Sequence, residues 1–332
     1  MKNLGKISLL TLLLAMELPS GRAQDTKAVV TRGEKATLYV IPAATNVTRV
    51  TFSPDARYLG VCCPASEGEP STGFIYDFER DTTWATELGV KFMASPDRFA
   101  DESYLYNNGE IIEVESRNTV EDYETLVLYA ASKNMDTLYS MSYELVYDPN
   151  GQAVMCPLGY LIDGHTGKII TPLEPHWPMS PTESNFGFMV RPNAASEDGM
   201  IIGGISTWPG CGINMSPVFW DLEHDTSFSV ADELDPYGSV YSVSPDGTIL
   251  GDMIQPMLYF YDRENLTIRK ERIPYEPSMV SGQVRAISNT GSVLFCRRMN
   301  TNREQTIFTI SIPSNWSECP NMWKNCMGWK LR

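Results

Sequence analysis

The stretch "VYSVSPDGTILGD", residues 240–252, reads as a strand, a tight turn and a second strand. Its turn chemistry is specific: Pro presets φ, Asp bonds back to the backbone, and Gly takes the left-handed position. Related stretches occur five more times in the 332-residue chain. "FSPDAR" puts Asp55 in the turn, "ASPDRF" Asp97, "YDPNGQ" Asn150, "ASEDGM" Asp198, and "ISNTGS" Thr290. The steps between successive turns are 42, 53, 48, 48 and 44 residues. A period in this range belongs to repeat folds made of four-stranded units. Ala56 and Arg98 stand where the other turns carry Gly, so those two turns are expected to be strained or differently shaped.

A second element recurs downstream. "FIYD" ends at Asp77, "YLID" at Asp163, "VFWD" at Asp221 and "YFYD" at Asp262, each an aromatic-rich strand entering a polar turn such as "DGHTGK" or "DLEHDT". In the second and sixth copies the corresponding strands are read as "EIIEV" and "TIFTI". Each unit is therefore strand, S-P-D-G turn, strand, variable loop, strand ending in Asp, turn, strand. Helical periodicity of any length is hard to find.

The S-P-D-G hairpin followed by an aromatic-Asp strand resembles the blades of TolB-type and WD-repeat-like propellers. "AASEDGMIIGGIS" followed by "PVFWDLEHDT" resembles the secreted HAF-repeat propellers. The resemblance covers residues 37–311 and implies an all-β β-propeller. The repeat count predicts six four-stranded blades, with seven allowed by the long step and the ends. "EKATLYVIPA", residues 34–43, has no hairpin of its own in this reading. It is expected to close the ring by completing the last blade, which protects the sheet edges.

The termini and the charge set the compartment. Residues 1–23 carry Lys2 and Lys6, an apolar run and a small-residue end, the order of a secretory signal peptide. The run is short of the ~20 apolar residues of a membrane span. The expected division is a signal peptide at 1–23, a propeller at 24–312 and a tail at 313–332, in an exported protein that is periplasmic or extracellular. A net charge of −15 argues against nucleic acid and anionic membranes as partners, since both need a basic surface.

Function is expected on the variable loops, because the first and third connections are stereotyped turns. "PASEGEPST" (64–72) and "STWPGCGINMSP" (206–217) are second connections; "EPHWPMSPTESNFG" (174–187) and "DELDPYG" (232–238) link blades. They bring His176, Trp177, Glu183, Trp208, Asp235 and Tyr237 to one face. Aromatic rings beside carboxylates suit a sugar or a peptide, and the competing reading is that Trp177 and Trp208 plug gaps between blades. The expected partner is thus a glycan or an envelope or extracellular protein.

His165 and His224 fall in third-connection turns on the opposite face, and three dispersed histidines make no zinc constellation, so neither metal nor cofactor is expected. No nucleophile elbow, phosphate loop or calcium loop occurs. The turn carboxylates Asp55, Asp97, Asp198 and Asp246 are explained by turn formation. A non-catalytic binding module is the leading reading, and a propeller hydrolase or lyase acting on polysaccharide or peptide is the alternative. Of the seven cysteines, Cys319 and Cys326 are the expected disulfide, closing a short loop in the tail. Cys156 and Cys296 are read as equivalent points of two second strands, and Cys62–Cys63 as one residue in and one out.

Overall fold

The computed structural model describes residues 29–32, 37–40, 49–63, 71–118, 127–147, 151, 153–177, 189–207, 215–231, 237–252, 257–272, 281–287, 292–298 and 305–311. Among them every regular element is a β-strand. They fall into two compact units, one up to Glu113 and one from Val114.

The first unit opens with a two-stranded sheet of β1 (Val29–Arg32) and β2 (Thr37–Val40). This corrects the reading that residues 34–43 have no hairpin: Thr37 to Val40 pair antiparallel with Arg32 to Val29. Two four-stranded antiparallel sheets follow. The first blade is β3 (Arg49–Phe52), β4 (Tyr58–Cys63), β5 (Thr72–Asp77) and β6 (Thr82–Thr86). The second is β7 (Phe92–Ser95), β8 (Arg98–Ala100), β9 (Tyr104–Asn107) and β10 (Glu110–Glu113).

The second unit holds the third blade, β11 (Val127–Ala131), β12 (Thr137–Tyr147), β13 (Ala153–Asp163) and β14 (Ile169–Pro172). The fourth is β15 (Val190–Ala195), β16 (Ile201–Thr207), β17 (Met215–Asp221) and β18 (Thr226–Ser229). The fifth is β19 (Val240–Val243), β20 (Ile249–Asp252), β21 (Met257–Asp262) and β22 (Thr267–Arg272). A last sheet has three strands among the described residues, β23 (Ser281–Ile287), β24 (Ser292–Arg298) and β25 (Gln305–Ser311). Within each sheet strand order follows chain order, and in the second unit the first strands lie side by side, β11 by β15, β15 by β19 and β19 by β23. Sheets of this order, with their first strands innermost, are the blades of a β-propeller.

One residue organises the hairpin turns, and it is Ser rather than Pro or Gly. The Ser244 hydroxyl accepts the Ile249 N–H at 2.8 Å and donates to Asp246, whose carboxylate also takes the Thr248 N–H. Ser53 does the same for Tyr58 and Asp55, and Ser196 for Ile201 and Asp198. In the third blade Ser132 accepts the Thr137 N–H at 3.1 Å. That bond corrects the alignment: the third first-connection turn is "SKNMDT", residues 132–137, with Asn134 at the Asp position. "YDPNGQ" is the second connection of an extended hairpin in which Thr137 to Tyr147 pair with Asp163 to Ala153. Pro-Asn-Gly makes a turn at either connection, so the turn signal alone misplaced it. Cys156 consequently sits in a third strand and Cys296 in a second, and the two are not equivalent. In the second blade the third strand is Tyr104–Asn107, and Glu110–Glu113 is the fourth.

The two odd turns differ from one another. Ala56 takes the left-handed position at φ +56°, as Met135 does at +58°. Arg98 instead begins β8, after a two-residue turn. At the other turn, the terminal Asp of the third strand caps two backbone N–H groups: Glu79 and Arg80 on Asp77, His165 and Thr166 on Asp163, Glu223 and His224 on Asp221, Glu264 and Asn265 on Asp262.

Blades pack by a repeated knob and hole. A Cβ on Gly60 would overlap Val90 of the next blade, one on Gly203 would overlap Val240, and one on Gly251 would overlap Val284. All three of these valines are fully buried, each burial contributing about 1.5–3 kcal/mol. The third blade has Tyr139 at this position, buried in one cluster with Val190, its hydroxyl donating to the Gly199 carbonyl. On the turn side the blades are stitched by backbone: Lys133 N–H to the Glu197 carbonyl (3.0 Å), then Glu197 N–H to the Pro245 carbonyl (2.8 Å). Pro245 has no N–H, so it ends that chain as an acceptor.

Candidate functional site

Of the predicted residues, His176, Trp177 and Tyr237 are described, in the links on either side of the fourth blade. At the first stem of the loop between β16 and β17, Thr207 N–H donates to the Met189 carbonyl (3.1 Å) and Met189 N–H to Thr207 Oγ1 (2.9 Å). Ser206 Oγ accepts the His176 N–H at 3.3 Å. At the second stem, Gly238 N–H donates to the Met215 carbonyl at 3.1 Å. Both blade links, 174–187 and 232–238, are therefore tied to the loop that carries Trp208. Glu183, Trp208 and Asp235 themselves lie outside the described residues, as do Cys319 and Cys326, the expected leader at 1–23 and the expected tail at 313–332.

His176 and Trp177 are held together, rings perpendicular and 4.5 Å apart. His176 Nδ1 lies 2.9 Å from Ser227 Oγ on β18, and burial holds the imidazole below its usual range, partly offset by hydrogen bonding to Ser227. Trp177 is half-buried against the cluster of Val190, Ile202, Val218 and Trp220. Trp220 Nε1 donates to the Glu174 carbonyl at 2.7 Å, and Leu173 is buried. The link is thus pinned across the blade, and Trp177 does in part what the gap-plugging reading expects. Tyr237 is 46% exposed. It is presented by Gly238, where a Cβ would strike Asp252 and Pro217, so only Gly permits that close approach. Ser216, in register with Ser206, is 1% exposed and its hydroxyl has no hydrogen-bond partner among the described residues.

The opposite face is structural in character. Asp221, Glu223 and His224 bring three possible metal-ligand atoms within 4.8 Å of one another. Each is already engaged: Asp221 Oδ1 by two backbone N–H groups, Oδ2 by Tyr261 Oη (2.6 Å) and His224 Nδ1 (2.9 Å), and Glu223 by Arg263 (2.8 Å). Arg263 also binds Asp198 at 2.9 Å, stapling the fourth and fifth blades. Burial pushes the Asp221 and Asp198 carboxyls up, but these hydrogen bonds outweigh it and both end below the usual range. His165, 57% exposed, lies 3.1 Å from Asp136. Cys62 and Cys63 are both buried, which corrects the one-in, one-out reading; Cys63 packs with Phe74 and Tyr76.

A further group escaped the sequence reading. The first strands β11, β15, β19 and β23 each slip register by one residue against their neighbours. The extra residues are Tyr129, Asn193, Tyr241 and Arg285, each three positions before the turn Ser (Ser132, Ser196, Ser244, Ser288). A bulge re-aims a side chain and is invisible until the partner strand is known. The only sequence signal was that constant spacing to Ser.

No protein-family model matches the chain, and no curated protein matches it. Among solved structures it is similar to the β-propeller domain of Cps50 (Swd1) from Myceliophteria thermophila, at 13% identity and a TM-score of 0.47, over 83% of this chain and 88% of that one. It is also similar to a putative TolB from Agrobacterium tumefaciens, at 11% identity and a TM-score of 0.43, over 83% and 80% of the two chains. No helix among the described residues is long and apolar enough to cross a membrane. By its own repeated sheets the chain is an all-β β-propeller.

Proposed function

We propose that this chain is an exported, non-catalytic β-propeller that binds a glycan or a partner protein through the variable-loop end of its fourth blade. The observation that carries the reading is the tying of both blade links to the two stems of the β16–β17 loop, at Ser206, Thr207 and Met215. The same stems hold a half-buried histidine–tryptophan pair, an exposed tyrosine and an unsatisfied buried hydroxyl, Ser216. Aromatic faces with polar edges suit sugars and peptides alike. His176 serves the link as an anchor, which favours binding over catalysis. Residues 1–23 act as a cleaved leader, 24–312 as the propeller and 313–332 as a tail closed by Cys319 and Cys326.

The test is retention of the purified mature protein on a broad glycan panel, read for both binding and released products, beside a Trp177→Ala, Trp208→Ala double variant. Retention lost in the variant supports the reading. A released product moves the function to the hydrolase or lyase alternative. With no sugar retained, cross-linking in the native envelope identifies a protein partner or ends the proposal.

A further inference from the structure

The inner wall beside this loop end carries a cation, Arg191, with no counter-charge among the described residues. Arg191 is the second residue of β15 and pairs in register with Ile205, next to the Ser206 that holds His176. Its guanidinium stands 5.7 Å over the Tyr129 ring of the third blade, and its Nε donates to Asn193 Oδ1 at 3.1 Å. Asn193 is fixed in turn by the fifth blade, Nδ2 donating to Ser239 Oγ (2.7 Å) and to the Val240 carbonyl (3.1 Å). The residue after Val240 is the bulged Tyr241, half-exposed like Tyr129 and Arg191. Residues of three adjacent blades thus hold one fork: Tyr129 under its plane, Asn193 at its Nε, and Ser239 with Val240 behind Asn193.

The two Nη groups of Arg191 have no acceptor, and no carboxylate lies within ion-pair distance of it, among the described residues. In a chain of net charge −15, Arg57, Arg263 and Arg269 have carboxylate partners, whereas Arg191, like Arg49 over Phe92 and Arg117 over Tyr160, lies against an aromatic ring with no ion pair among the described residues. A half-buried guanidinium is costly to leave unpaired, and its planar fork matches a carboxylate with two parallel N–H bonds. The bulge at Tyr129 re-aims that side chain, and the guanidinium stands over its ring. Rings offer flat faces to the C–H face of a sugar. The overall negative charge opposes an acidic ligand only weakly, because charges beyond about 8 Å are screened at physiological salt while the fork acts in contact.

We infer that Arg191, held over Tyr129 and bonded to Asn193, is a carboxylate-reading subsite that makes the ligand of the binding face an acidic, uronate-type saccharide. The inference rests on the reading of the fourth-blade loop end as the binding face. It is tested with a panel of uronate oligosaccharides, each beside its carboxyl-reduced neutral partner, by calorimetry on the full mature chain. The expected result is at least tenfold tighter binding of the acid in the wild type. Arg191→Gln abolishes that preference, and Arg191→Lys keeps part of it, with melting temperatures that confirm both variants are folded. Acid and neutral sugars bound alike, with binding still lost in the tryptophan variant, overturn the subsite and leave the loop-end reading standing. An acid preference lost in Arg191→Gln but indifferent to both tryptophans supports the subsite and counts against the loop-end reading. Retention of neither sugar overturns the inference, and capture of acidic peptides that Arg191→Gln abolishes reassigns the fork to a peptide carboxylate.

Discussion

Ser196→Ala is the sharpest test of how the blades are built. Ser196 is fully buried, and its hydroxyl accepts the N–H of Ile201, which is fully buried too, at 3.0 Å. The same hydroxyl donates to Asp198. Alanine removes the acceptor and creates almost no cavity, so the cost is that of a buried donor left unsatisfied, about 1–3 kcal/mol. At 1.4 kcal/mol per tenfold, this raises the opening of the Ile201 amide by about 5- to 150-fold. Native-state hydrogen exchange reads that amide directly, and the urea midpoint at unchanged slope gives the global value. Ser196 does not hold the turn in this way if Ile201 keeps its protection and stability changes by less than about 0.5 kcal/mol, the range of an inert surface change. Ser53→Ala, Ser132→Ala and Ser244→Ala are expected to act alike on Tyr58, Thr137 and Ile249.

Other expectations follow from the same contacts. Gly203→Ala and Gly251→Ala place a Cβ into Val240 and Val284, and each is expected to destabilise by about 1–3 kcal/mol in urea. Tyr261→Phe removes a hydroxyl donor from a fully buried carboxylate, costing about 1.5–3 kcal/mol; the Asp221 pKa rises, and acid unfolding begins at a higher pH. The pH dependence has two steps, both on the acid side. Asp55 is held below 3.8 by the Ser53 hydroxyl and the Arg57 N–H, Asp163 by the Thr166 and His165 N–H groups, and Asp246 by Ser244 and Thr248 against burial. Lowered carboxyls contribute stability above the unfolded value, lost as pH falls below about 3.8. His176, lowered from 6.5 chiefly by burial, adds a shallower loss as pH falls below 6.5, because the unfolded chain takes up its proton first. His176→Gln removes that first step from a plot of melting temperature against pH, and a step that persists in the variant contradicts the assignment.

The sequence was most readable where one residue type has one mechanism. Asp at the end of an aromatic strand capped the following turn in four blades, as its position before "DGHTGK" or "DLEHDT" implied. It was least readable where the same chemistry serves two places. The Pro-Asn-Gly of residues 149–151 joins the second and third strands of an extended hairpin, while the turn that matches the repeat, 132–137, has Met135 at +58° where Gly was expected. Met135 is 1% exposed, so core packing of its side chain offsets the backbone strain. Length and composition point to the loop residues of the site, but the stems that join their links are visible only in the hydrogen bonds at Ser206, Thr207 and Gly238. Arg191 stayed hidden for a different reason. In "VRPNAAS" the strand alternation gives no register until Asn193 is known to be the extra residue.

The proposed function puts contact at the loop end of the fourth blade and not at the turn face. A photo-cross-linking residue placed at Tyr237, 46% exposed on a blade link, is compared with one at Asn265, exposed in a third-connection turn. Both are expressed in the native host and irradiated in intact cells. A discrete cross-linked species is expected from Tyr237, abolished by Trp177→Ala with Trp208→Ala, and none from Asn265. Adducts from Asn265, with Tyr237 silent, would contradict this placement and move the binding face to the opposite side of the blades.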